Sequence, residues 1–329
     1  MKKIQRRQIA AVAIAIAGLG LGGTAALAQG GYPAKTITMI VPAAAGGTTD
    51  LAARMAAQAL APVIGQSVVV DNKGGGNGSI AASLVKRAEA DGYTLLMQYS
   101  GYHVISPHLT KQKAQWVPED FRAVANVLSA PQVVVVREGL PVKTMAELIA
   151  YAKANPGKLT YASSGPGSLQ HVTGAMLEQQ AGIQLTHIPY KGTGPALQDL
   201  LGAQVDMTFG TPPPFMPFIQ SGKLRAVAVT GKARVASLPN VPTAAEVGLP
   251  NLDATSWFAV FAPAKTPQPV IDKLSAEIAK VVATPAFQQK AAELGATADY
   301  MNPQKLADYS KAEYLRWGKV VEAAKIEGE

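Results

Sequence analysis

The stretch TITMIVPAAAGGTTDLAARMAAQAL, residues 36–60, decides the architecture. Thr36-Ile-Thr-Met-Ile-Val41 is a short β run, and Pro42 ends it because proline has no backbone N–H to give a ladder. A small-residue turn follows, and from Thr49 to Leu60 the chain is Ala-rich and favours a helix. Outward from there the alternation repeats. Ser67-Val-Val-Val-Asp71 predicts a second strand, Ser79 to Ala90 a helix after a glycine loop, and Tyr93-Thr-Leu-Leu-Met97 a third strand. Strand–helix–strand units of this length imply α/β architecture with parallel-type sheets flanked by helices.

A second set follows. Phe121 to Arg137 is β-rich with Pro131 inside it, Thr144 to Ala154 is helical, and Leu159 to Ala162 is a strand. Ser163-Ser-Gly-Pro-Gly-Ser168 then leads into a helix from Leu169 to Ala181. Gln184–Ile188, Val205–Phe209 and Leu224–Val229 predict strands, with a helix over Gly194–Leu201. After a strand at Ser256–Ala262 the remainder predicts helices alone: Pro269–Ala283, Pro285–Leu294 and Pro303–Lys325, each opening on the proline that suits a first turn. If those helices return to the first set, the β segments near 121–137 and 254–262 connect two lobes. Lobe 1 is then 29–129 plus 251–329, and lobe 2 is 130–250.

The chain has 329 residues, of which 1–28 read as a secretory signal peptide. MKKIQRR is a basic n-region, an apolar run extends from Ile9 to Leu21, and Ala26-Leu-Ala28 is a small-x-small cleavage site. The run is barely long enough to span a bilayer, which favours a signal over an anchor. The expectation is export to the periplasm. Without Lys2, Lys3, Arg6 and Arg7, the 30 basic residues become 26 against 22 acids, a net charge of +4. That mild excess without a basic cluster argues against a nucleic-acid partner and suits a small anion. There is no cysteine, so thiol chemistry is excluded and stability must come from an apolar core, which 48% hydrophobic composition permits. His103, His108, His171 and His187 have no metal-ligand spacing, and His103 and His108 fall on an expected loop. No metal and no cofactor is expected.

Three loops share one design in which a strand ends, small residues turn and a helix begins: Val41-Pro-Ala-Ala-Ala-Gly-Gly-Thr-Thr-Asp50, Asn72-Lys-Gly-Gly-Gly-Asn-Gly-Ser79 and Ser163–Ser168. Helix starts offer unpaired N–H groups and partial positive charge, a cup for a carboxylate or phosphate at the carboxyl ends of parallel strands. Each loop taken singly also reads as an ordinary βα turn with an N-cap. None carries the Lys-[Ser/Thr] ending of a P-loop, and no serine occupies a G-x-S-x-G elbow. Ser168 and His171 lie three apart on one helix without a directed acid partner. Tyr99-Ser-Gly-Tyr-His103, Tyr190-Lys-Gly-Thr-Gly194 and Thr211-Pro-Pro-Pro214 also sit at strand carboxyl ends, where tyrosines serve core or pocket.

Taken in order, these loops resemble the tripartite tricarboxylate transporter substrate-binding proteins, the Bug family. The likeness is carried by Val41–Asp50, Asp71-Asn-Lys-Gly-Gly-Gly-Asn-Gly-Ser79, Asp91-Gly-Tyr-Thr-Leu95, Tyr161-Ala-Ser-Ser-Gly-Pro-Gly-Ser168, His187-Ile-Pro-Tyr-Lys-Gly192 and Leu200-Leu-Gly-Ala-Gln-Val-Asp206, from Tyr32 to the C-terminus. The resemblance implies a two-lobe periplasmic binding protein of type II, a monomeric Venus-flytrap closing on a small organic acid. It implies delivery of that acid to the membrane components of a tripartite transporter, and no enzymatic step. It also implies that Ala44, Ala45, Gly46, Gly47, Thr48 and Asp50, with Ser163, Ser164, Gly165, Pro166, Gly167 and Ser168, hold one ligand carboxylate. Tyr99, Ser100, Tyr102, His103, Tyr190, Asp206 and Thr211 are the remaining expected contacts. The pair Tyr99 and Tyr102 departs from the smaller residues frequent there and leans the reading toward an aromatic or larger dicarboxylate such as terephthalate. An enzyme acting on an organic acid, or a ligand sensor, would share the architecture.

Overall fold

The computed structural model describes residues 31–109, 116–323 and 326. The signal-peptide reading lies outside the described residues. From Lys35 onward the chain forms two mixed β-sheets with helices on their faces.

In the first sheet β1 (Ile37–Val41) lies between β2 (Val68–Asn72) and β3 (Thr94–Tyr99), parallel to both. The crossovers carry α1 (Thr48–Ile64) and α2 (Ser79–Lys86). After β3 a π turn, Gly101–Ile105, runs into a helical turn, Ser106–Leu109, so His103 and His108 stand on helical backbone and not on the expected loop. The long β segment expected over 121–137 divides at Gln132. Residues Phe121–Pro131 are β4, in the first sheet, and Val133–Arg137 are β5, in the second.

The second sheet has the order β7-β6-β8-β5-β9. It comprises β5, β6 (Thr160–Ser163), β7 (Thr186–Pro189), β8 (Met207–Gly210) and β9 (Leu224–Val229). The helices between are α3 (Met145–Ala154), α4 (Leu169–Ala181), α5 (Thr193–Leu201) and the short α6 (Met216–Gln220). Val133 to Val136 are all fully buried, Val134 and Val136 in the cluster around Tyr161 and Phe209, Val133 and Val135 in the one around Leu197 and Phe215. Alternate side chains of one strand thus enter cores on both faces, each worth about 1.5–3 kcal/mol relative to exposure.

The chain returns to the first sheet as β10 (Thr255–Pro263), antiparallel to both β3 and β4. Then come α7 (Gln268–Val282), α8 (Pro285–Glu293), β11 (Thr297–Met301) and α9 (Pro303–Ala323). The first sheet's order is β11-β4-β10-β3-β1-β2, and α7 and α9 pack against β4. Two features differ from the sequence reading. The parallel pairing of β1–β3 and β6–β8 is joined by antiparallel strands, because each strand that crosses between the sheets enters its new sheet reversed. And β11 replaces part of an all-helical C-terminus. It is a five-residue edge strand with an irregular register and a mostly half-buried TADYM sequence, too short and too polar to show a period-2 signal.

Candidate functional site

The carboxyl ends of β1, β3, β6 and β8 face one another across a small, tightly closed cavity. The first sheet contributes Ala43, Gly47, Thr48 and Thr49 from the β1–α1 turn, and Tyr99 and Tyr102 from the end of β3. The second contributes Ser164, Gln170, Thr193 and Thr211. Gln132, Ser256 and Phe258 come from the crossing segments. Among the described residues, no Lys, Arg, Asp, Glu or His lines it.

Polarity in this cavity comes instead from hydroxyls, amides and helix starts. Gly47 and Gly192 are the N-caps of α1 and α5, and neither supplies a side-chain cap. The first-turn N–H groups of both helices therefore stay uncapped beside Thr48, Thr49 and Thr193, where a helix start carries partial positive charge. The start of α4 is different. Ser168 Oγ accepts from His171 N, and Leu169 N donates to Tyr99 Oη at 2.8 Å.

Hydroxyl groups also join the two halves. Tyr102 Oη donates to Ser164 O at 2.5 Å, Thr211 Oγ1 donates to Thr48 Oγ1 at 2.6 Å, and Ala44 N donates to Lys191 O at 3.2 Å. Tyr99 stacks on Phe258 (5.9 Å) and meets Tyr102 edge-on (5.1 Å). Burial, with the neighbouring Tyr102, holds the Tyr99 phenol well above its usual range, and burial pushes Tyr102 up to about 12. Both remain protonated donors at neutral pH.

Of the residues expected from sequence, Gly47, Thr48, Tyr99, Tyr102, Ser164 and Thr211 meet at the cavity. Ala44, Ala45 and Gly46 close its edge against residues 191–194. A Cβ on Gly194 would collide with the Ala45 carbonyl oxygen, so only glycine allows that approach. Asp50 is buried behind the turn, accepting from Gly46 N (3.0 Å) and pairing with Arg54. Gly165, Pro166 and Tyr190 line an outer recess beyond the Tyr102–Ser164 bond, and Tyr190 Oη donates to Asp199. Ser163 Oγ lies 2.6 Å from His187 Nε2, and Gly167 N donates to His171 Nδ1 at 3.1 Å, both beneath the loop.

Four expected contacts stand elsewhere. Ser168 does not line the cavity, because its hydroxyl caps α4. Ser100 Oγ accepts from Trp257 N. His103 is buried among Trp116, Phe121, Trp257 and Phe261, and that apolar nest pulls its imidazole down to about 3. Asp206 sits just before β8, at the opposite end of the strand from the cavity. There it pairs with Arg137 (2.9 Å) and accepts from Thr160 N.

Sequence reasoning missed Ala43, Thr49, Gln132, Gln170, Thr193, Ser256 and Phe258. Ala43, Thr49 and Thr193 lie inside the loops read from sequence but were not singled out as contacts, and Gln170 lies two residues beyond the Ser163–Ser168 loop. For Gln132 the available signal was a lone polar amide between Pro131 and an unbroken valine run.

The tripartite tricarboxylate transporter family receptor profile matches residues 52–326. Protein BugT of Bordetella pertussis is 36% identical, the match covering 96% of each chain. Among solved structures, the periplasmic binding protein BugD superposes with a TM-score of 0.87 at 37% identity, covering 91% of this chain and 100% of that one. An R. palustris protein solved with adipate gives 0.88 at 35% identity, covering 91% of this chain and 100% of that one. No helix among the described residues is long and apolar enough to cross a membrane. These relatives are solute-binding receptors and not enzymes, periplasmic in the case of BugD, and this chain belongs to the same family of tripartite tricarboxylate transporter receptors.

Proposed function

We propose that this receptor captures a small organic carboxylate in the cavity between its two sheets and delivers it to the membrane components of a tripartite transporter. The observation that carries the reading is the pair of uncapped helix starts, α1 at Gly47 and α5 at Gly192, facing one cavity with no charged side chain. A carboxylate there accepts from backbone N–H groups on both halves and holds them together. Ser164, Tyr99 and Tyr102 supply further polar contacts, and the rings of Tyr99, Tyr102 and Phe258 supply an apolar wall. The R. palustris relative with adipate supports a dicarboxylate, and the aromatic wall extends the class to a flat diacid such as terephthalate.

In this reading residues 29–129 and 251–329 form one lobe and 130–250 the other. The polypeptide crossing at Gln132 and the return into β10 act as the hinge. The chain acts as a periplasmic monomer after cleavage behind Ala28. The test is a thermal-shift screen of mono-, di- and aromatic carboxylates, with sugars and amines as controls. A ligand at about 100 times its Kd stabilises by roughly 2.7 kcal/mol, a shift of about 4 °C for a chain of about 300 residues. Stabilisation by at least one carboxylate and by no control is expected. A panel in which no acid moves Tm overturns the reading.

A further inference from the structure

We infer that Gln132 reads a hydrogen-bond donor on the bound acid, so that the cavity selects a hydroxy acid over its unsubstituted counterpart. The inference rests on the carboxylate-binding function proposed above. Gln132 is the residue at which the chain leaves the first sheet for the second. It is 1% exposed and lines the cavity. Its Nε2 donates to Ser256 Oγ at 2.8 Å, while its Oε1 has no partner; among the described side chains that line the cavity, it alone leaves a buried polar atom unpaired.

The residue is held firmly. Its backbone N–H is within hydrogen-bonding distance of Ala254 O (3.1 Å) and Thr230 Oγ1 (3.0 Å), and its carbonyl accepts from Thr230 N (2.9 Å). Both crossings between the sheets thus fix the amide in place. Buried amide oxygens are nearly always satisfied, and one in a cavity wall is satisfied by what fills the cavity.

The rest of the wall is rich in donors: the uncapped helix starts and the protonated phenol of Tyr99, whose oxygen accepts from Leu169 N. These suit the oxygens of a carboxylate. Gln132 Oε1 is an acceptor and calls for O–H or N–H. A hydroxyl supplies that donor without adding a charge to the cavity.

Calorimetry on the full mature chain tests this with matched probes: malate against succinate, and 2-hydroxyadipate against adipate, with oxaloacetate as the 2-oxo control. The hydroxy member of at least one pair is expected to bind about 10-fold more tightly than its partner and than the oxo acid. In Gln132→Met, which keeps the volume and loses the acceptor, the ratio should fall to within about 2-fold, whatever happens to the absolute affinities. Should that variant melt far below wild type, the wild-type order of hydroxy, unsubstituted and oxo acids decides alone. A wild-type ratio near one, a preference for the oxo acid, or a ratio unchanged in Gln132→Met overturns the role of Gln132. Wild-type protein that binds no carboxylate at all overturns the proposed function and this inference with it.

Discussion

Gly47 and Ser168 occupy the same place in two strand–turn–helix units, one residue before the helix, and do opposite things. Ser168 turns its hydroxyl to His171 N, and Tyr99 takes Leu169 N, so the start of α4 is satisfied within the protein. Gly47 offers no side chain, and the start of α1 is left for something else. A helix start becomes an anion site when its cap is withheld, not when its loop is rich in glycine and serine. The second half meets the first not through the Ser163–Ser168 loop alone but also through Gly192, the other uncapped position.

The strongest way to break this arrangement is to stop the two uncapped starts from meeting. Gly194→Val places a side chain against the Ala45 carbonyl. Calorimetry should show carboxylate affinity reduced at least about 100-fold, a loss of roughly 2.8 kcal/mol, while circular dichroism stays native because the clash lies between the halves. Native affinity would show that the approach of residues 44–46 to 191–194 is not part of binding.

Next, Gly47→Asp fills the withheld cap. The backbone there is extended (φ −86°, ψ 169°), which any residue adopts, and a Cβ would meet only Thr193 at ordinary contact distance (3.4 Å). The carboxylate caps α1 and occupies the anion's place, so affinity should fall about 10-fold or more while Tm of the empty protein holds or rises slightly. Ser168→Ala is the converse. It should cost about 1 kcal/mol of stability through the lost cap, read as a lower urea midpoint, and change carboxylate affinity less than about 3-fold. If Ser168→Ala abolishes binding and Gly47→Asp does not, the two starts have been assigned the wrong way round.

The smallest effect comes from acid. His171 and His187 stack at 4.1 Å beneath the Ser163–Ser168 loop, facing Tyr161, with Glu178 nearby on α4. Burial lowers both imidazoles, and the neighbouring His171 helps bring His187 to about 4. Between the ordinary histidine value of 6.5 and about 4 the unfolded chain therefore binds protons that the folded chain refuses. Stability from this pair is fully present above pH 6.5 and is lost as pH falls toward 4. Tm should decline over that window, and His187→Gln should flatten the slope. An equal slope in the variant would place the acid sensitivity elsewhere.

Much of the fold was legible because its units announce themselves. The β1–α1 stretch, the valine run of β5 and the proline-started C-terminal helices each carry a local signal that tertiary structure did not override. β11 was not legible, since an edge strand of TADYM has neither alternation nor β-branched density. The helical backbone of Gly101–Leu109 was hidden by its opening glycine and by Pro107. The site was half legible. Loop chemistry pointed to Gly47, Thr48 and Ser164, but Gln132, Ser256 and Phe258 reach the cavity from strands that cross between sheets, a placement that no local pattern encodes. Asp206 illustrates the reverse error. A family-like motif placed it in the site, while its position before β8 puts it at the wrong end of a strand.

A cavity walled without a single ionic side chain also shapes how cargo leaves. Attraction between fixed charges weakens as salt rises, whereas contacts with helix starts and hydroxyls inside a closed space are shielded from the medium. In the proposed function, the hold on the acid is then nearly indifferent to the ionic swings of the compartment around it. Delivery as proposed would then be a mechanical act: separating the halves lets water hydrate the freed carboxylate, with no counter-ion to be torn away and no proton to be exchanged.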